Sequence, residues 1–142
     1  MSEMPSHTKS IVMFAQRYRD APAAIEWLSK AFGFERHAVY ANPDGTIAHA
    51  ELTLGGGMVM LGSWKDDGRG FKTPAELGGV ETRSAYIVVK DADAAFARAQ
   101  AAGAVVVRPP TDMDYGSREF TVKDPEGYSW TLGTYDPWAA HE

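Results

Sequence analysis

Apolar positions in this chain follow two periods, and the switch between them happens twice in the same order. Ser10-Ile11-Val12-Met13-Phe14-Ala15 is a run of strand-forming residues that ends at the charged Arg17-Tyr18-Arg19-Asp20, which predicts a first strand. The period then lengthens. Ile25, Leu28 and Phe32, with Ala21 and Ala24, fall on one helical stripe, while Glu26, Ser29 and Lys30 fall opposite. Asp20 can accept from the open N–H groups of a first turn, Pro22 has the φ such a turn adopts, and Gly33 can take the left-handed stop, so a helix is predicted from about Ala21 to Phe32. Alternation returns in Phe34 to Ala41 and Thr46 to Leu54. These runs flank Asn42-Pro43-Asp44-Gly45, a type I turn sequence that makes them a hairpin, and Gly55-Gly56-Gly57 then turns the chain into Met58 to Leu61.

The second half repeats this order. Ser84 to Val89 reads as a strand and about Ala92 to Ala102 as a helix with Ala92, Ala95, Phe96 and Ala99 inward. Val105 to Arg108, Ser117 to Lys123 and Tyr128 to Thr134 follow as strands, the last two joined by Asp124-Pro125-Glu126-Gly127. Tyr18-Arg19-Asp20-Ala21-Pro22-Ala23-Ala24 is echoed by Val89-Lys90-Asp91-Ala92-Asp93-Ala94-Ala95, and Gly33, Gly45 and Leu61-Gly62 by Gly103, Gly116 and Leu132-Gly133, about 70 residues on. Two βαβββ modules, about 10–63 and about 84–135, are therefore expected to share one core as a single domain over 1–142, with a ligand cup between them. Residues 64–83 read as a linker: glycines bracket Ser63 to Phe71, a charged and aromatic stretch suited to a solvated connection or to a flap.

Composition narrows the partners. A net charge of −5 with no basic run argues against a nucleic-acid surface. The absence of cysteine closes thiolate ligation, disulfides and thiol nucleophiles, and fits a reducing cytoplasmic setting. Met1 to Lys9 has no apolar signal core and no stretch is long enough to span a bilayer, so a cytoplasmic protein without membrane contact is expected. No nucleophile elbow and no glycine-rich phosphate loop before a helix is present.

Two βαβββ modules with Asp at each helix start, Gly at each helix end, and Asp124-Pro125-Glu126-Gly127-Tyr128-Ser129-Trp130 near the C-terminus resemble the vicinal oxygen chelate superfamily. That group holds glyoxalase I, extradiol dioxygenases, fosfomycin-resistance enzymes and bleomycin-resistance proteins. Ile47-Ala48-His49-Ala50-Glu51-Leu52, Thr73-Pro74-Ala75-Glu76-Leu77-Gly78-Gly79 and Tyr115-Gly116-Ser117-Arg118 bring it closest to the glyoxalase-like branch with the PhnB-like proteins. The resemblance implies an α+β fold in which mixed sheet curls into half-barrels with helices outside. It also implies a homodimer.

In metal-using members of that superfamily the ion is held by a first-strand His of each module and a last-strand Glu. Alignment of the repeats puts those positions at Met13, Ser84, Met60 and Thr131, which offer thioethers and hydroxyls instead of imidazole and carboxylate. No metal and no other cofactor is expected on this basis. His49 and Glu51 lie two apart on one strand face, where they could serve as acid–base groups or as unconventional metal ligands, or Glu51 could simply pair in charge with Arg36 across the hairpin. Ala48, Ala50, Leu52 and Leu54 make the opposite, helix-facing side, so His49 and Glu51 are expected in the cup, against Phe120 and Val122 at the matching places of the second module.

Further ligand contacts are expected from Met60 and Thr131 on the last strands, from Tyr40 and Tyr86, and from Trp64 on the linker. Arg118 would pair either with a ligand anion or with Asp112, Asp114 or Glu119. His7, His37 and His141 carry no arrangement that supports catalysis, and no catalytic residue is assigned. The expected function is metal-free binding of a small molecule in the manner of the bleomycin-resistance proteins, possessing a cup but no reactive group. Alternatives are an enzyme of the same fold using His49 and Glu51, and an interaction module resting on the tryptophans.

Overall fold

The computed structural model describes residues 10–139. Its elements run β1 (Phe14–Tyr18), α1 (Ala21–Phe32), β2 (Glu35–Ala41), β3 (Ile47–Leu54), β4 (Gly57–Ser63), a 3-10 turn at Pro74–Leu77, β5 (Ala85–Val88), α2 (Ala92–Ala101), β6 (Val105–Asp112), β7 (Arg118–Lys123) and β8 (Ser129–Gly133). The order is βαβββ twice, an α+β fold with two four-stranded mixed sheets, β1-β4-β3-β2 and β5-β8-β7-β6. In each sheet the module's first strand runs parallel to its last, and the other pairs are antiparallel.

Two compact units result. One holds the described chain up to Ser29 with Gly33–Lys72; the other holds Lys30–Phe32 with the chain from Thr73 onward. In the first, the stripe of α1 (Ala21, Ala24, Ile25, Leu28) and one face of the sheet (Tyr18, Ala50, Leu52, Val59, Leu61) are buried. Asp20 caps α1 by accepting from the Ala23 N–H at 3.1 Å, and Gly33 ends it with φ of 90°. In the second, Asp91 caps α2 through the Ala94 N–H, Phe96 meets Phe120 edge-on at 5.3 Å, and Phe32 packs on Trp130 at 5.3 Å.

Two strands depart from the sequence reading. β1 begins at Phe14 and runs through Arg17 to Tyr18, because its parallel register matches Phe14 to Val59 and Tyr18 to Ser63. The charged residues read as the strand's end are part of it. β6 does not stop at Arg108 but continues through Pro109 and Pro110 to Asp112. It is the edge strand of its sheet, and the register shift between Arg108 and Thr111 takes up two residues that cannot donate to a ladder.

The Asp124 to Trp130 segment is held by one side chain. Asp124, 3% exposed, accepts from the Glu126 and Tyr128 N–H groups through Oδ1 and from the Trp130 indole through Oδ2 at 3.1 Å. The part of the linker that follows residue 72 docks on this turn. The Ala75 N–H donates to the Glu126 carbonyl, and Gly127, at φ of 90°, leaves room that a Cβ would close to 3.0 Å from the Ala75 nitrogen. Thr73–Gly79 is accordingly fixed structure, with Thr73 1% exposed.

Replacing Asp124 with Ala strands three donors, and because their acceptor is a carboxylate the expected loss is about 1.5–3 kcal/mol. Denaturant unfolding followed by tryptophan fluorescence reads it as a lower midpoint at unchanged slope; an unchanged midpoint would show that the turn holds without Asp124.

Candidate functional site

The burial of Gln16, Tyr18, Leu52, Val59 and Leu61 forces their strand neighbours to the other face of the first sheet. Register places Ala15 beside Met60 and Arg17 beside Gly62, and Glu51 beside Met60 across the antiparallel pair. His49 and Glu51 share that open face. A cavity of about 470 Å³ lies over it, lined by Ala15, Arg17, Asn42, Thr46, His49, Met60, Trp64, Lys65, Arg69 and Phe71 among others.

A bulge sets the mouth of this cavity. Tyr40 pairs with His49 but Ala41 pairs with Ile47, so Ala48 is an extra residue, exposed where the alternation predicted burial, and Ile47 takes the buried place. The Ala48 carbonyl leans over β4, where a Cβ on Gly62 would stand 3.1 Å from its oxygen. Gly62 is thus the residue that lets the bulge close down.

The loop after β4 makes the wall. The Trp64 N–H extends the ladder to the Tyr18 carbonyl and its indole donates to the Phe71 carbonyl at 2.7 Å. Arg17 pairs with Asp67 at 2.9 Å while lying over the Phe71 ring at 4.7 Å; Arg19 lies over Trp64 at 3.6 Å. The Arg17 hydrogen bond holds the Asp67 carboxyl below its ordinary range, with the neighbouring Lys65 acting in the same direction.

Within this site His49 Nε2 and Glu51 Oε2 stand 2.9 Å apart, and the Tyr40 ring stacks on His49 at 6.2 Å. Of the residues expected to meet ligand, His49, Met60 and Trp64 line the cavity, while Glu51 and Tyr40 touch it through His49. The pairing of Glu51 with Arg36 is corrected: a register shift between Arg36 and Ala38 sets Ala38 opposite Glu51, and Arg36 pairs instead with Glu26 of α1. His37, read as a bystander, comes 4.0 Å from Glu51. His7 and His141 lie outside the described residues.

The second sheet has its own hollow. A shallow concavity of about 610 Å³ is lined by Tyr86, Tyr115, Glu119, Tyr135 and Pro137. Glu119 is 4% exposed and accepts from the Tyr115 hydroxyl at 2.8 Å, with Arg108 at 3.4 Å; Tyr86 donates to the Tyr135 carbonyl at 2.7 Å. Gly133 makes this packing fit, because a Cβ there would fall 2.6 Å from both the Glu119 Cγ and the Tyr86 oxygen. Burial, more than any other cause, raises the Tyr86 pKa above its ordinary value, and the hydrogen bond to Glu119 does the same for Tyr115.

Thr131 lies on the same open face, next to Tyr86 in register, with its hydroxyl 2.7 Å from that of Thr121. Arg118 is held by Asp93 at 3.1 Å and Asp112 at 3.0 Å. The expected equivalence of His49 and Glu51 to Phe120 and Val122 is corrected. Phe120 pairs with Leu132 and Val122 with Trp130, all buried, as Ala50 and Leu52 pair with Leu61 and Val59. The true counterparts are Glu119 and Thr121, so both open faces are polar. The extra residue at Ala48 displaced the alignment by one position.

These residues do not fit the superfamily's metal. Met60 offers a thioether, Thr131 a hydroxyl already bonded to Thr121, and among the described residues no three His, Cys, Asp or Glu converge. Arg17, Lys65, Arg69 and Phe71 were missed in the sequence because the first strand was ended too early and the loop was read as solvated. Glu119 was missed through the misplaced register.

Residues 10–132 match the model of the Glyoxalase/Bleomycin resistance protein/Dioxygenase superfamily. Uncharacterized proteins of Mycobacterium bovis and Mycobacterium tuberculosis are each 40% identical over 116 residues, covering 80% of this chain and 76% and 68% of theirs. The crystal structure of TioX from Micromonospora sp. ML1 superposes with a TM-score of 0.69 at 33% identity, over 87% of this chain and 97% of that one. TnmS3, an antibiotic binding protein from Streptomyces sp. CB03234, shares the fold at 20% identity, with a TM-score of 0.67 over 92% and 97% of the two chains.

An alkaline titration followed by tyrosinate absorbance is expected to show groups ionising above the usual value near 10. Tyr86→Phe and Tyr115→Phe should each remove one. The stabilisation tied to these raised values is present below about pH 10 and is lost as pH rises through them. In Glu119→Gln, Tyr115 should titrate earlier; a curve identical to that of the parent protein would contradict its hydrogen bond to Glu119.

Proposed function

We propose, on the premise that this chain belongs to the Glyoxalase/Bleomycin resistance protein/Dioxygenase superfamily, that it binds a small organic molecule without a metal ion in the cavity of its first sheet. The observation that carries this reading is the lining of that cavity: His49, Met60, Trp64 and Phe71 surround about 470 Å³, and among the described residues no metal-ligand set converges. Binding needs only complementary shape and partners for the ligand's polar groups. A thioether, two aromatic rings and a floor of Ala15 and Ala48 supply the apolar contact, and Asn42, Thr46 and His49 supply hydrogen bonds. Sequestration of a toxic or antibiotic-like compound, the kind of ligand named for TnmS3, by a cytoplasmic homodimer completes the proposal; light scattering on the eluting protein checks the dimer.

A second reading is favoured by one contact. His49 stands in the cavity with Glu51 2.9 Å from its Nε2, an arrangement in which a carboxylate orients an imidazole that moves a proton. The binding reading expects any bound compound to be recovered chemically unchanged, and the enzymatic one expects turnover that is lost in His49→Gln.

Metal analysis of protein purified without chelator should return less than stoichiometric zinc, manganese, iron, cobalt or nickel, and chelation should leave the melting temperature where it was. A thermal-shift screen of aromatic small molecules should then yield stabilising compounds, since a ligand that binds only the folded state raises its stability by mass action. Trp64→Ala should weaken those compounds at least several-fold. A stoichiometric metal, or hits indifferent to Trp64, would refute this assignment.

A further inference from the structure

We infer that the cavity of the first sheet selects an anion, a flat apolar molecule bearing one carboxylate or similar oxyanion, and that Lys65 and Arg69 read its charge. The inference rests on the binding function proposed above and specifies its ligand class.

The argument begins with a charge imbalance. The chain as a whole is acidic, with 19 Asp and Glu against 14 Lys and Arg. The cavity inverts that sign: Arg17, Lys65 and Arg69 line it, and none of its lining residues is Asp or Glu. Two acidic residues lie in the same loop, and their placement matters. Asp67 is committed to Arg17 at 2.9 Å and to the Arg69 backbone N–H at 3.2 Å, and that first bond keeps it ionised. It therefore offsets Arg17. Asp66 is exposed and is not part of the lining. Lys65 and Arg69 are also exposed and make no ion pair among the described residues; Asp67 acts on Lys65 only through space and Glu51 is engaged with His49, so neither cation has a carboxylate bonded to it.

Their setting suits a ligand. The Arg69 guanidinium lies over the Phe71 ring at 5.0 Å. A guanidinium packed beside a ring makes no hydrogen bond to it, so its N–H groups stay available to a carboxylate, which can take two of them at once. Trp64 and Phe71 are tied to each other by the indole bond to the Phe71 carbonyl, so the aromatic surfaces beside the cations are already ordered and cost little to organise on binding. At the sheet side the Met60 thioether and the small Ala15 and Ala48 accept a flat apolar body. An ammonium ligand would meet Lys65 and Arg69 as like charges, and a neutral one would leave them without a partner.

Three probes with one ring system separate the possibilities: naphthoate, naphthylmethanol and naphthylmethylammonium, each titrated calorimetrically into the whole chain at low ionic strength. Naphthoate should bind about tenfold or more tighter than the other two, the increment of one or two charge-assisted hydrogen bonds. Added salt should weaken naphthoate and leave the alcohol nearly unchanged. Both cations are exposed, so Lys65→Ala, Arg69→Ala and the Lys65→Glu/Arg69→Glu reversal should fold, which circular dichroism checks. The Ala variants should reduce the preference for naphthoate, and the reversal should abolish it without loss of the alcohol. Equal binding of the three probes, or a preference that survives the reversal, overturns the inference while leaving small-molecule binding intact. If none of the three binds, the binding function and the inference fall together.

Discussion

A β-strand sends successive side chains to opposite faces, and in both sheets of this chain one face is sealed by apolar packing. Leu52, Val59 and Leu61 in the first sheet, and Phe120, Val122, Trp130 and Leu132 in the second, are removed from water. Slipping any of these strands by one residue would expose that whole row, so the hydrophobic effect fixes the register. What lies between the sealed residues then has no choice of side. His49, Glu51, Met60 and Arg17 on one sheet, and Glu119, Thr121, Thr131 and Tyr86 on the other, are placed by the burial of their neighbours.

On that fixed register, small departures carry the chemical character. The bulge at Ala48 adds one residue to β3, brings a carbonyl over Gly62, and lines up His49 with Tyr40. The second sheet lacks this bulge where β6 meets β7 beside Arg118 and Glu119, and its register shifts fall instead along β6, between Val106 and Arg108 and again across the two prolines. The two modules repeat a fold without repeating a surface. One hollow is cationic and walled by a loop; the other surrounds a buried carboxylate with three tyrosines.

Polar side chains complete what the ladders leave open. Asp124 gathers two backbone donors and an indole at the last turn, Glu81 accepts from the Ser129 N–H and hydroxyl, and the Trp64 indole ties down the wall of the cavity. Each of these bonds holds a loop whose backbone has no strand partner, which is why aromatic surface can stand beside a hollow in a defined position.

The sequence by itself determined the repeat, the helix limits, the turns and the family. Those follow from local chemistry: Asp20 and Asp91 cap, Gly33 stops, Asn42-Pro43-Asp44-Gly45 turns, and apolar spacing distinguishes helix from strand. It also placed His49 and Glu51 on one face, since they sit two apart on a strand with no irregularity between them. Tertiary structure alone decided which residues stand opposite them. A bulge shifts register by one without any local signal in Ile47-Ala48-His49, which gives Phe120 and Val122 places that belong to Glu119 and Thr121, and a second shift between Arg36 and Ala38 is what takes Arg36 away from Glu51. The joining of Arg17, Lys65, Arg69 and Phe71 into one wall was equally out of reach, because it depends on parallel pairing between strands more than forty residues apart and on a loop folding back over them.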